Sequence, residues 1–495
     1  MLDRRSFLRQ MGLGSCALLG HTLERTARAG ERIAGRAPFR ALQVAGRVTA
    51  RGRGLPGVAV TDGVTVAATD RDGGFAFASS NRQRYVSLSL PSGYAVPTHP
   101  QGTARCYRPL SGAAAGKEIH FALEPLPGGD REHAFLALAD PQVLDAADVA
   151  RLHAEAVPDI AATAARLRPR PTFAAALGDI MFDDLTLFPD YERAAERIGV
   201  PCFQVLGNHD VDTEARTDAH STRTFERHFG PTYYSFNRGD VHYVVLDDVF
   251  WYGGYIGYVD QAQLDWLAAD LALIEPGRTV VVFVHIPVYC ESHVRHEREA
   301  PHESVVVTNR ELLYERLRPY RAYIICGHMH ESEYLHDGGA EIHVCGALCG
   351  AWWAGDICRD GTPNGYSIYT VNGSSLSWQY KATGHSLAHQ MRLYPPGASE
   401  AHPRSLIANV WTADARWEVD WYENGERRGR MTRRTALDPL AVERQRGPDL
   451  PEKHGWVDPV PTDHLFFAEP GPAAREVTVE ARDPWGRRYA ETLRL

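Results

Sequence analysis

No stretch of this 495-residue sequence is apolar for the length that a membrane-spanning helix needs, so no transmembrane segment is expected in the mature chain. There is no basic excess either. Lys and Arg total 53 against 62 Asp and Glu, and the formal net charge of -9 argues against a general nucleic-acid binder. That balance does not exclude a small anionic ester as substrate, because a metal site brings its own positive charge. No internal repeat or low-complexity tract stands out. With 44% hydrophobic and 23% charged residues, the composition is that of a folded globular chain. Cysteine is sparse, at eight residues. If Cys16 leaves with a signal segment, seven remain, and at least one stays outside any intramolecular bridge. Cys345, Cys349 and Cys358 lie close enough in sequence to pair in an oxidising compartment, with buried thiols as the alternative.

The length suits about three domains. Residues 1–29 read as a targeting segment outside the fold. Arg4-Arg5-Ser6-Phe7-Leu8 precedes a weakly apolar run over 11–20, and Ala27-Arg28-Ala29 offers a small-x-small cleavage site. This resembles a twin-arginine export signal and implies a periplasmic or secreted protein. An N-terminal amphipathic helix is the alternative.

Residues 38–125 alternate like short strands. Leu42 to Val48 and Val58-Ala59-Val60 are separated by a Gly/Pro cluster, and 69–77 is a turn that enters another strand. The expectation is an N-terminal β-sandwich, followed by a linker at 125–129. From 131 to 375 short apolar runs alternate with helical periods, at 147–166 and 261–274, which is the signature of an α/β layer fold. Over 376–495 alternation returns, at 405–411, 416–421 and 476–481, and Glu423-Asn424-Gly425-Glu426 has the chemistry of a hairpin turn. That portion reads as a C-terminal β-rich domain.

In the middle domain, five apolar runs each end on a residue of metal-ligand type. Residues 134–139 run into Asp140-Pro141-Gln142. Residues 173–177 run into Gly178-Asp179, and 203–206 into Gly207-Asn208-His209-Asp210. Residues 280–284 run into His285, and 323–326 into Gly327-His328-Met329-His330. Buried strands of an α/β sheet collect their carboxyl ends at one edge, where active sites form. Any one of these ends alone is more often a hydrogen-bonded structural residue. Five together point to a metal centre, and Gly178, Gly207 and Gly327 fit sharp turns that approach it closely.

These motifs, in this order, resemble those of the calcineurin-like metallophosphoesterases. The resemblance implies an α/β core of β-sheets flanked by helices, and it implies two divalent metals. Asp179 would bridge them. Asp140, Gln142 and His330 would complete one site, and Asn208, His285 and His328 the other. His209 would be the acid over the phosphate, with Asp210 orienting it. Two dications clamp a phosphoryl group and generate a hydroxide for in-line attack, with no protein nucleophile. The family usually has His where this chain has Gln142. An amide oxygen suits a harder ion, so manganese is favoured over iron or zinc, and Gln142 could instead stand behind a water.

Downstream, Gly350-Ala351-Trp352-Trp353-Ala354-Gly355-Asp356 and the stretch from Asp360 to Tyr366 combine aromatic and polar residues. Trp352, Trp353, Asp356, Asn364 and Tyr366 are the candidate substrate contacts, and packing under the C-terminal domain is the alternative. Asp183 and Asp184 could shape the rim or simply cap a helix. Trp251 to Tyr255 is a candidate pocket wall. The expected partner is a small or envelope-derived phosphoester. A diester is favoured over a monoester, because no Arg or Lys cluster near the motifs would hold a terminal dianion. A binding protein with a structural metal site is the competing reading. Oligomeric state is left open.

Overall fold

The apolar runs that end on polar residues fold as strands buried on both faces, as parallel strands in a layered α/β protein must be. The structure is a computed structural model that describes residues 39–110 and 117–495; the twin-arginine-type segment and Cys16 lie outside the described residues. One core sheet has the order Cys202–Val205, Thr172–Leu177, Glu132–Leu138, Gly365–Asn372, Ser375–Ala382. Its first three strands are parallel, and the last two return antiparallel. The second sheet has the order Tyr234–Arg238, Val241–Val245, Thr279–Phe283, Arg321–Cys326, Ala340–Val344, Glu333–Asp337, and its four middle strands are parallel.

Alternation along each strand assigns its side chains to layers. Phe135, Phe173, Phe203, Phe236, Tyr243 and Phe283 fill the space between the two sheets. Their rings interlock: Phe203 stacks on Phe236 at 3.9 Å, and Phe135 on Tyr369 at 4.4 Å. Leu136, Leu138, Ala174 and Ala176 face outward, against Ile160, Tyr191 and Phe225 of the covering helices. Val280, Val282 and Ile324 likewise face the helices Gln261–Leu271 and Arg310–Leu317. The expected helix at 147–166 is one continuous rod, Ala146–Arg151 and Val157–Leu167 joined by a π turn at Leu152–Ala156.

The N-terminal region is a sandwich of two four-stranded sheets. The C-terminal region also pairs two four-stranded sheets, and its hairpin turns where expected, with Asn424 and Gly425 both at positive φ. One boundary moves. Ser375–Ala382 pairs along its whole length with Gly365–Asn372, so the core extends to Ala382 rather than ending at 375. Alternation alone could not separate a strand of the core's edge from one of the next domain. The seven described cysteines, Cys345, Cys349 and Cys358 among them, are buried free thiols that serve as small apolar side chains.

A buried polar seam holds the C-terminal domain to the core. His464 Nε2 lies 3.0 Å from Asp360 Oδ2, and Asn409 donates to the Asp360 carbonyl at 3.0 Å and to Asp438 Oδ2 at 2.8 Å. Asp438 also caps the helix Pro439–Arg446, which the alternating pattern did not foreshadow. The chain that follows this helix runs back onto the core, where Lys453 pairs with Asp145 and Asp148.

Candidate metal centre

Because the core strands that carry the motifs are parallel, their carboxyl ends bring the motif residues to one edge, where both sheets meet. The turns there are tight. A Cβ on Gly207 would stand 1.9 Å from the Asp179 backbone nitrogen, and one on Gly327 would stand 2.6 Å from Asp140 Oδ2. Asp140, Gln142, Asp179, His328 and His330 all adopt positive φ, which is uncommon for side-chain-bearing residues and concentrates at functional sites.

Three imidazoles are aimed by backbone carbonyls. His285 Nδ1 donates to Leu177 O at 2.8 Å, His328 Nε2 donates to Ser304 O at 2.9 Å, and His330 Nδ1 donates to Gly350 O. Each ring therefore turns its other nitrogen inward, the arrangement that orients metal-binding histidines. His285 Nε2 then lies 3.0 Å from Asn208 Oδ1, 3.1 Å from His328 Nδ1 and 3.2 Å from Asp179 Oδ1. Ligand atoms of Asp179, His285 and His328 all fall within 4.8 Å of one another. His330 Nε2 faces Asp140 Oδ1 at 3.9 Å. Gln142 is buried beside them. Its amide nitrogen donates to Asp179 Oδ2 at 3.2 Å, and its Oε1 has no partner among the described groups. Converging lone pairs and an orphaned buried oxygen are what cations would satisfy, so these residues fit a metal pair.

Charge in the site follows from burial and mutual contact. Burial, supported by the Asp179 charge, pushes the Asp140 carboxyl up to about 8. Burial also works against the charge of Asp179, but His285 and His209 outweigh it and hold that carboxyl below the usual range. For His285 burial opposes protonation, and the carboxylates of Asp179, Asp140 and Asp248 outweigh it, raising the ring to about 10. Burial lowers His328 and His330 to about 3.

His209 projects over this cluster, and its Nδ1 lies 2.8 Å from Asp183 Oδ1. Asp210, expected to orient it, is fully buried and accepts the backbone N–H groups of Met181 at 2.9 Å, Gly207 at 3.0 Å and Ile180 at 3.1 Å. Asp210 thus clamps the turns at 178–181 and 207–210 together, and Asp183 takes the contact to the His209 ring. Sequence adjacency suggested the wrong acid, because the turn after His209 points the next side chain inward.

The aromatic loop divides in the same way. Trp352 stacks on His330, with centroids 3.9 Å apart. Asp356 is exposed and lines a cavity of about 210 Å³ together with His454 and Val457. The other three candidates face inward. Trp353 is buried and donates to Pro141 O at 2.9 Å, which braces the turn that carries Asp140. Asn364 is buried and donates to Gly355 O. Tyr366 is fully buried, bonded to Thr163 at 2.6 Å and Asp159 at 2.7 Å. Trp353 and Asn364 nevertheless line a second cavity, of about 100 Å³, with Arg151 and Asp356, whereas Tyr366 lines neither cavity and shapes the loop from beneath. Sequence reasoning passed over Phe182, His454 and Trp456, which border the site. Phe182 follows the Gly-Asp motif and could have been flagged, but nothing in the sequence ties 454–456 to a site some 120 residues earlier.

Comparison with known proteins gives a consistent pattern. The family model described as calcineurin-like phosphoesterase matches residues 134–332. The models for the N-terminal and C-terminal parts of calcineurin-like phosphoesterase match 42–126 and 342–489. Purple acid phosphatase 15 of Arabidopsis thaliana is 35% identical over 147 residues, covering 27% of this chain and 25% of that protein. Serine/threonine-protein phosphatase CPPED1 of Mus musculus is 27% identical over 179 residues, covering 34% of this chain and 56% of that protein. The chain thus spans between a quarter and about half the length of these two relatives. Among solved structures, a dimetal phosphatase from Danio rerio is 16% identical with a TM-score of 0.35, over 50% of this chain and 96% of that one. A purple acid phosphatase from yellow lupin is 12% identical with a TM-score of 0.37, over 70% of this chain and 67% of that one.

Proposed function

Because the chain belongs to the calcineurin-like phosphoesterases, we propose that it is an exported two-metal phosphohydrolase with a phosphodiester substrate. The observation that carries this reading is the set of three carbonyl-tethered imidazoles turned onto Asp179 and Asp140. Asp140, Gln142, Asp179 and His330 would hold one cation, and Asp179, Asn208, His285 and His328 the other. Two divalent cations supply Lewis acidity at the phosphoryl oxygens and make water acidic enough to act as a nucleophile near neutral pH. Manganese fits the amide oxygen of Gln142 better than a softer ion does.

The chain's own groups do the rest. His209 carries a proton over the ester and delivers it to the departing alkoxide. Asp183 fixes the ring through Nδ1, so the proton it transfers sits on Nε2. Phe182 packs flat on the His209 ring at 4.5 Å and limits its swing.

The diester preference rests on charge. Among the described residues, three cations near the mouth have protein partners: Arg151 with Glu155 and the Trp353 carbonyl, Lys453 with Asp145 and Asp148, and Arg359, through Nε, with the Asp458 carbonyl. A monoanionic diester needs no further clamp, whereas a terminal dianion calls for one. Export follows from Arg4-Arg5 and the Ala27-Arg28-Ala29 site.

The test is turnover of bis-p-nitrophenyl phosphate against p-nitrophenyl phosphate, on metal-stripped protein reloaded with manganese, zinc or iron. Metal-dependent diester cleavage that disappears in Asn208→Ala supports the reading. Turnover of the monoester alone replaces diester with monoester. Metal-loaded protein that turns over neither ester and binds no phosphonate sinks the enzyme.

A further inference from the structure

An arc of rings runs around one side of the metal mouth and crosses between domains. From His209 it passes to Phe182 at 4.5 Å, then to His454 at 5.6 Å, and to Trp456 at a further 5.6 Å. It closes through Trp352 at 4.8 Å onto His330 at 3.9 Å. Its two ends are thus the proposed leaving-group acid and a proposed metal ligand. Its middle comes from the C-terminal domain.

Trp456 is the unusual member. It is 51% exposed, although it sits on a segment anchored by the Lys453 ion pairs and by a domain docked through the Asp360–His464 contact. Its ring neighbours lie at 56° and 83° to it, so neither stacks on its face. His454 is held below its usual pKa by burial and by Lys453, and its Nε2 is buried without a partner among the described groups. A neutral ring offers a flat hydrogen-bonding surface rather than a charge clamp.

We infer that Trp456 and His454 of the C-terminal domain complete the substrate site, as a stacking wall that selects phosphoesters with a flat, unsaturated leaving group. This deepens the phosphohydrolase reading above and rests on it. The geometry favours a flat group over a quaternary ammonium. A cationic headgroup needs rings set apart around a box, and these rings touch in series to make a wall. Stacking of a flat ring on one tryptophan face raises affinity on the order of 10-fold or more.

The experiment uses manganese-loaded full-length protein and two small probes, phenylphosphonate and methylphosphonate. Each is titrated by quenching of tryptophan fluorescence and by competition against bis-p-nitrophenyl phosphate. Neither readout depends on how good a leaving group the probe carries. The expected result is binding of the phenyl compound on the order of 10-fold tighter in the wild type. Trp456→Ala brings the two affinities together with metal content unchanged, and Trp456→Phe keeps the preference. Trp456 is half exposed, so its removal leaves the core packing intact. Equal affinities in the wild type, or a preference that survives Trp456→Ala, overturn the stacking wall while leaving the phosphohydrolase standing. Failure of the loaded wild type to bind either phosphonate overturns the stacking wall, and it overturns the phosphohydrolase as well when neither p-nitrophenyl ester is turned over.

Discussion

His209 Nδ1 stands 2.8 Å from the carboxylate of Asp183, a half-exposed residue four positions beyond the candidate metal ligand Asp179. Burial alone would lower the His209 pKa, but Asp179 and then Asp183 outweigh it and raise the ring above its usual value. The protonated acid therefore persists to higher pH than a free imidazole would. Asp183→Asn removes part of that support and lets the pKa fall. The alkaline limb of the kcat profile should move to lower pH, with kcat on that limb reduced roughly 10-fold and metal content unchanged. A pH–rate profile that keeps its alkaline limb in place would assign Asp183 a purely structural role.

Gln142 brings an amide oxygen to a position where a stronger ligand is usual in the family it resembles. Gln142→Ala removes that oxygen and leaves Asp140, Asp179 and His330 in place. Affinity for one of two metal equivalents should weaken by on the order of 10- to 100-fold, while the second is held as before. Competition titration with a chelator reads this directly, and two unchanged equivalents would move Gln142 out of the ligand set.

The domain seam is testable through Asp360. Burial opposes its charge, but His464 and the N–H groups of Ser332 and Thr362 outweigh it and hold the carboxyl below its usual range. A carboxyl with a depressed folded pKa contributes stability above its unfolded value of about 3.9, and this is lost as pH falls through the folded value. Asp360→Asn should cost about 1–3 kcal/mol at neutral pH, and the gap from wild type should narrow in acid. Denaturant titrations at two pH values measure both.

Tyr366 separates a structural from a substrate role. Tyr366→Phe deletes the bonds to Thr163 and Asp159, while Lys381 still holds Asp159 at 2.6 Å. The expected outcome is a loss of about 1–2 kcal/mol in stability with KM unchanged. A raised KM at full stability would return Tyr366 to the pocket.

Much of the site was legible before any fold was known. Each ligand candidate follows an apolar run, and all but His285 sit beside a glycine or in a short dense motif, so local signals alone brought Asp140, Asp179, Asn208, His285, His328 and His330 forward as candidates. The rule that buried parallel strands deliver their carboxyl ends to one edge turned five local signals into one site. The same local reasoning misassigned Asp210, because neighbours in sequence can point to opposite sides of a turn. It also placed Tyr366 in the pocket, although its burial became visible only with the helices and turns that cover it.

What the sequence by itself determined is the set of elements and the chemistry at their ends. Periodicity sets which residues enter strands, and residue type sets which side chains can ligate. What only the tertiary structure decided is every relation that depends on long-range packing. Asp183 meets His209 because two turns cross. Ser375–Ala382 joins the core because a sheet edge was open to it. Trp456 reaches Trp352 because a buried polar seam docks the C-terminal domain beside the candidate metal centre. Such contacts are set by the simultaneous burial of surfaces far apart in the chain, and no window along the sequence contains both partners.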